Sequence, residues 1–486
     1  MLKQIPVSKN QTIECMMHAL GHEGQGIGKY EDFTVFVSGA LPGERVLVKI
    51  IKVEKRYAVG RLLEILESGE ARIAPKCEIF KRCGGCQLQH MDYQAQLHWK
   101  RQMVVDNLER IGKLTDVLVH PTIGIDNPWN YRNKAQVPVG ECEHGDRDRE
   151  QLADGGCSLI SGFYAARSHE IIPFDSCDIQ HQSNNELVVA VRRIAERHGI
   201  SAYNEQAHKG LLRHIIVRTA FQTGEIMITL VVNGKQLPNQ QQVVTEVAQL
   251  SENIRSICLN QNREKTNVIF GERTDVLYGS DKIFDYIGDI RFGISARSFY
   301  QVNPVQTEVL YKQALAYAGL TGKETVIDAY CGIGTISLFL AQQAKKVYGV
   351  EIVPEAIEDA RYNAAINGID NVEFAVAKAE EWIPKLYKEL KESLEEGSAA
   401  DSIASKLPEV IVVDPPRKGC DKALLDTIIA MKPERVVYVS CDSSTLARDL
   451  RILVDGGFAV KEVQPVDMFP ATVHVETVVL MSRVEK

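Results

Sequence analysis

A candidate nucleophile stands at Cys441, just past the apolar run Val436-Val437-Tyr438-Val439 and within Ser440-Cys441-Asp442. A thiol at the carboxyl end of a strand lies where an open α/β sheet places its chemistry. Three uses are open to it: nucleophile, metal ligand, or packed core side chain. Polar Ser440, Asp442 and Ser443 around it weigh against the core. Upstream, Asp414-Pro415-Pro416-Arg417-Lys418-Gly419 makes a rigid loop after another strand, and downstream His474-Val475-Glu476 supplies an acid. Glu476 is a candidate proton acceptor, its bland alternative being a surface ion pair.

A second group of thiols has ligand spacing. Cys77, Cys83 and Cys86 form C-x5-C-G-G-C, and Gly84 and Gly85 let the chain turn tightly enough to aim two sulfurs at one centre. Cys177 is the best-placed fourth ligand, ahead of Cys142 and Cys157. Four thiolates suit an iron–sulfur cluster and structural zinc alike, so spacing leaves both open. The flanking Lys81 and Arg82 suggest a structural element facing RNA rather than a redox centre.

The third motif is Val326-Ile327-Asp328-Ala329-Tyr330-Cys331-Gly332-Ile333-Gly334-Thr335, a strand, a turn and a helix start. Gly332 and Gly334 allow backbone to approach a ligand closely, and G-I-G is shorter than the dinucleotide fingerprint, so a smaller adenosyl cofactor fits better than NAD. The next strand, KVYGVEIV, carries Glu351 near its end, where a carboxylate can accept ribose hydroxyls. Asp414 closes a further strand, and Cys331 is a core candidate beneath the turn.

These motifs require a framework. At 486 residues, 45% hydrophobic and 25% charged, the chain has the composition of a multidomain protein of ordinary type. The first residues carry no signal-like apolar stretch and no run of about 18 apolar residues occurs, so a cytoplasmic protein without a membrane partner is expected. Net charge is −8, yet Lys49, Lys52, Lys55 and Arg56 cluster in the first half, leaving room for a basic, RNA-binding face. Glycine-punctuated alternation from about residue 13 to 65 predicts a five-stranded, OB-like barrel. A helix is predicted over 93–112, with Lys100 and Arg101 outward. Trp129, Tyr131, Arg132 and Lys134 precede a strand and could stack on bases and clamp phosphate, or form a solvated edge. Repeated strand runs to about residue 292 predict a mixed β domain, followed by helical periodicity. The charged segment 385–407 reads as a solvated helix and loop insertion.

Taken together, CGGC with Cys77 and Cys177, FYQVN at Phe299 to Asn303, DAYCGIGT, GVE, DPPRKG, VSCDSSTLARDL and HVE resemble the bacterial SAM-dependent RNA (uracil-5-)methyltransferases. The resemblance spans nearly the whole chain and points to the 23S ribosomal RNA branch, which has a TRAM domain and a [4Fe–4S] cluster. It implies a TRAM barrel over 1–70, a central cluster-bearing domain over 71–290 and a Rossmann-like methyltransferase domain over 291–486. It further implies a cluster held by Cys77, Cys83, Cys86 and Cys177. SAM would be held by Gln301, Asp328, Tyr330, Gly332, Gly334, Glu351 and Asp414, with Cys441 as nucleophile and Glu476 as base. Arg132, Lys134 and Phe299 are candidates for RNA contact, and no obligate protein partner is evident.

The implied chemistry accounts for the residue types. Uracil C5 is too weak a nucleophile to take a methyl group until a thiolate adds to C6, and a base must then remove the C5 proton. A target uridine in folded RNA must be flipped out. Two rival readings remain: a tRNA (uracil-5-)methyltransferase with the same catalytic motifs, and a noncatalytic RNA-binding assembly factor. A DNA or cytosine methyltransferase fits the N-terminal modules less well.

Overall fold

A computed structural model describes residues 5–142, 159–395 and 407–484. Cys157 and residues 396–406 of the predicted charged insertion lie outside the described residues.

Strands β1 (Thr12–Leu20), β2 (Gly26–Tyr30), β3 (Phe33–Ser38), β4 (Arg45–Val53) and β5 (Tyr57–Glu67) close into a barrel in the order β1-β2-β3-β5-β4. Alternation drives the closure, because Ile13, Cys15 and Met17 of β1 and Val46, Val48 and Ile50 of β4 all point inward. At Gly60 an added Cβ would lie 2.0 Å from Val48 Cγ1, so only glycine fits where β5 crosses this core. Side chains fill the interior, which leaves only the outer face of the barrel for a partner.

Helix α1 (Tyr93–Arg110) follows, capped by Asp92, whose carboxylate accepts the Gln94 and Ala95 amides. Its Lys100 does not face outward as the periodicity predicts: it is fully buried and paired with Asp467 at 2.5 Å. Arg101 is half-buried and donates to the Val119 carbonyl.

The central sheet contains β6 (Lys134–Glu141), β7 (Leu159–Tyr164), β8 (Ile171–Pro173), β9 (Leu212–Thr219), β10 (Ile226–Val232), β11 (Ile254–Gln261) and β12 (Arg273–Gly279), ordered β12-β11-β10-β9-β6-β7-β8. Only β10 and β11 pair in parallel. Helices α2 (Gln182–Arg197) and α3 (Gln240–Ala248) cover its apolar face. The hairpin β13 (Lys282–Ile287) and β14 (Ile290–Ser295) buries Ile283, Ile290 and Phe292 in the core of the C-terminal unit.

That unit is a three-layer α/β structure. Its sheet runs β17-β16-β15-β18-β19-β21-β20, from β15 (Thr325–Ala329), β16 (Lys346–Glu351), β17 (Val372–Val376), β18 (Val410–Val413), β19 (Arg435–Ser440), β20 (Phe458–Val466) and β21 (Glu476–Arg483). Val410–Val413 and Val436–Val439 are fully buried, as parallel strands covered on both faces must be. Helices α4 (Pro304–Ala318), α5 (Thr335–Ala341) and α6 (Pro354–Ile366) pack with one core. The opposite core takes α1, α7 (Ala379–Glu395), α8 (Lys422–Met431) and α9 (Ser443–Asp455). Strand order reverses between β15 and β18, which opens a crevice at their carboxyl ends.

Beneath that crevice Asp449 of α9 accepts from the Tyr438 hydroxyl at 2.7 Å, the Cys420 amide at 2.8 Å and Arg448 Nε at 2.8 Å. It ties β19, the loop after β18 and α9 together, with no exposed surface of its own. Asp449→Ala strands the buried Tyr438 hydroxyl and Cys420 amide, while half-exposed Arg448 keeps the Lys418 carbonyl and solvent, and is expected to remove on the order of 3 kcal/mol of stability. Thermal unfolding should show a depressed midpoint for the alanine variant and a smaller loss for Asp449→Asn.

Candidate active site at the carboxyl edge of the sheet

The turn after β15 is built from left-handed residues: Tyr330 at φ 69°, Gly332 at 56° and Gly334 at 83°. A Cβ at Gly334 would press on the Phe374 ring at 3.0 Å, whereas one at Gly332 would meet nothing within 4 Å. The backbone at Gly332 is therefore open to a ligand. Its amide donates to Glu351 Oε2 at 3.3 Å, and the other oxygen of Glu351 accepts the Val353 amide at 3.0 Å, which couples the end of β16 to the turn. Asp328 is fully buried and accepts Ser337 Oγ at 2.5 Å, while Oδ1 has no partner among the described residues. Burial pushes its carboxyl up to about 7, and Asp414 adds to the shift.

Cys441 fills the step between β19 and α9. Asp442 caps α9 by accepting the Ser444 amide at 2.9 Å and the Thr445 amide at 3.1 Å, which fixes the backbone on either side of the thiol. Strand register brings its counterpart in. Val439 opposes Val478 and Ser440 opposes Thr477, so the next position in register sets Cys441 against Glu476. Burial pushes the Cys441 thiol up to about 11, with Glu476 and Asp414 raising it further and Arg417 opposing. Glu476 is only 4% exposed; burial pushes its carboxyl up to about 8, Asp414 adds to this and Arg417 counters it. Desolvation alone pushes Asp414 up to about 7. Burial, then Arg417 and Lys100, hold the His474 imidazole down at about 4.

Cys441, Glu476, Asp414 and the glycine turn thus form one cluster. Gln301 is half-buried, its carbonyl accepting from Asn133 Nδ2 at 3.0 Å, and Phe299 two residues earlier is 69% exposed. Tyr131 is buried, with its hydroxyl donating to the Pro470 carbonyl. Arg132 and Lys134 line a separate cavity, where burial and neighbouring Arg218 and Arg132 push the Lys134 ammonium down to about 7. In the sequence Arg417 stands out only as part of DPPRKG. Its influence on Cys441, Glu476, Asp442 and His474 follows from the fold, which brings two further segments, around Cys441 and around Glu476, up to its own loop.

The cavity beside Arg132 and Lys134, about 290 Å³, is also lined by Cys77, Cys83, Cys86 and Cys177. The [4Fe–4S] and zinc expectations are not met there: among the described residues no group of three or more His, Cys, Asp or Glu side chains is set to hold a metal ion. Ligation needs every sulfur at about 2.3 Å from one centre. These thiols instead share walls with Ile79, Phe80 and Phe163, and burial pushes all four up, Cys86 to about 11 and Cys177 to about 12. C-x5-C-G-G-C brought the cysteines to one cavity without making them a ligand set.

The raised Glu476 carboxyl fixes the sign of a pH effect. A group whose folded pKa lies above its unfolded value contributes stability that is complete below about 4.5 and lost as pH rises through about 8. Glu476→Gln should therefore be more stable than the parent at pH 8 by at least about 2 kcal/mol and no more stable at pH 4. Thermal midpoints measured across that range check it.

Comparisons with known proteins identify the family. The family model described as tRNA (Uracil-5-)-methyltransferase matches residues 170–484, and a TRAM domain model matches residues 6–63. A relative from Bacillus cereus described as an uncharacterized RNA methyltransferase is 55% identical over 99% of this chain and 98% of its own length. One from Clostridium acetobutylicum with the same description is 52% identical over the full length of both. The crystal structure of the Pyrococcus abyssi tRNA (uracil-54, C5)-methyltransferase with S-adenosyl-L-homocysteine superposes with a TM-score of 0.73. It is 27% identical and covers 96% of this chain and 100% of its own. The expected 23S ribosomal RNA branch is overturned by these matches, in which the family description and the solved relative both specify tRNA. The chain is an enzyme of the SAM-dependent RNA (uracil-5-)methyltransferase family, with an N-terminal TRAM domain.

Proposed function

We propose that this protein methylates C5 of a uridine in tRNA, through a transient bond between Cys441 and C6. The observation that carries the reading is the register of β19 on β21, which sets a thiol against a desolvated carboxyl beside the glycine turn. The Cys441 thiolate adds to C6 and the displaced electron pair is delocalised as an enolate over C5 and O4. C5 then forms its new bond to the methyl carbon as the donor's methyl–sulfur bond breaks, the electron pair leaving with the sulfur as a neutral thioether. Glu476 takes the C5 proton, the electron pair reforms the C5–C6 double bond, and the C6–S bond breaks to return the thiolate. To take the proton Glu476 must first be ionised, which its burial opposes and which Arg417 and a positive charge brought into the crevice favour.

The turn suits an adenosyl group, with backbone open at Gly332 and a carboxylate at Glu351, and Gln301, Asp328, Tyr330, Gly334 and Asp414 are the further candidates for holding it. SAM supplies an electrophilic methyl and a positive charge that favours the thiolate. Phe299, exposed two residues before Gln301, is suited to stack on a base, and Arg132 to meet phosphate. The depressed Lys134 ammonium is a weaker phosphate partner. The choice of tRNA rests on the solved relative, which acts on uridine 54 of tRNA.

Mapping 5-methyluridine by mass spectrometry in RNA from cells lacking the gene should show a tRNA mark lost. An unchanged tRNA profile would refute the substrate. With purified protein, Cys441→Ala should lower methylation by at least about 1,000-fold while SAM affinity stays within about threefold, checked by calorimetry. Glu476→Gln should leave a methylated protein–RNA adduct that survives denaturing electrophoresis.

A further inference from the structure

Between Val466, the register partner of Glu476, and Glu476 itself lies an excursion, residues 467–475, with no regular structure. Five consecutive carbonyls of this segment are each held from outside it. Asp467 O accepts Gln306 Nε2 at 3.1 Å and Met468 O accepts Asn303 Nδ2 at 3.0 Å, both from the start of α4. The next three are held by the N-terminal half: Phe469 O by Lys100 Nζ at 3.0 Å, Pro470 O by the Tyr131 hydroxyl at 3.1 Å, and Ala471 O by the Gln87 and Leu88 amides at 3.0 and 2.9 Å. Ala471 is left-handed at φ 66°, an unfavourable conformation for alanine, and its own amide donates to Gln96 Oε1 at 3.0 Å. Lys100 also pairs with Asp467, neither side chain having any exposed surface.

We propose that Lys100 and Tyr131 are positioning residues for proton removal: they hold residues 467–475 in the one path that sets Glu476 opposite Cys441. The inference rests on the reading of Glu476 as the base. Neither residue is placed to touch the reacting atoms; each acts through a backbone carbonyl leading to the base. Two features separate this role from packing alone. The anchored atoms are successive main-chain groups ending in a strained alanine, so the path is over-determined. The anchors also come from α1 and the segment before β6, distant in sequence, which makes the geometry of the base depend on how the N-terminal half is seated on the catalytic unit. Asp467 follows directly on Val466, the partner of Glu476, so a shift there moves the carboxyl without moving Cys441, which is held by the end of β19 and the Asp442 cap.

The proposal is tested by single-turnover kinetics on the full-length protein with SAM and tRNA, following adduct formation and adduct release separately. Lys100→Met combined with Asp467→Asn removes both buried charges together, and Tyr131→Phe removes one hydroxyl at nearly constant volume. Formation should stay within about threefold of the parent for both variants, while release slows at least about tenfold in the double variant and about threefold in Tyr131→Phe, so adduct accumulates. Equal slowing of the two steps, or no change in either, overturns the proposal. If the double variant does not fold, Tyr131→Phe decides alone by the same ratio. Glu476→Gln is run alongside: wild-type release from that variant would refute the base itself, whereas trapping by Glu476→Gln without trapping by the others refutes only the positioning role.

Discussion

Desolvation of acidic groups at the carboxyl edge of a parallel sheet is the constraint on which this structure turns. Asp328, Asp414 and Glu476 are drawn into one crevice with Cys441, and burial outweighs every stabilising contact they make, so all four groups are pushed toward their neutral forms. Such an arrangement opposes folding when the groups are charged. It is tolerated because Arg417 offsets part of the charge on Cys441 and Glu476 and Ser337 offsets part of that on Asp328. The same crowding leaves a carboxyl and a thiol whose ionisation is favoured when positive charge enters the crevice.

The rest of the fold keeps that crevice in register. Strand reversal between β15 and β18 opens it, the cap at Asp442 fixes the chain around the thiol, and Asp449 ties the following loop beneath it. From the other side, α1 and its buried lysine grip the approach to Glu476. The barrel, whose interior is filled by its own side chains, leaves only its outer surface for a partner.

Periodicity carried the barrel and the parallel sheet clearly, since Val35, Val37, Val46 and Val48 alternate while Val410–Val413 run continuously apolar. Local motifs also identified the glycine turn and the Cys441 step. What local reading could not reach was long-range pairing. Lys100 looks like a solvent-facing lysine on an amphipathic helix, and nothing near it announces Asp467, 367 residues away. Arg417 is similar, because its charge matters only once three segments have converged. The cysteines erred in the opposite direction: C-x5-C-G-G-C and Cys177 share a cavity, but spacing carries no information on whether four sulfurs reach a common centre. The RNA target was misread for a related reason, since catalytic motifs encode the reaction on uracil and not the RNA that presents it.

The central claim, that Cys441 bonds to C6 and Glu476 removes the C5 proton, is tested most directly with tRNA carrying 5-fluorouridine. Fluorine replaces the proton on which release depends, so the parent enzyme with SAM should stop at the methylated adduct. Peptide mass spectrometry should find nucleotide plus methyl on the peptide containing Cys441. A stable adduct on any other cysteine, or turnover with no adduct, would contradict the account.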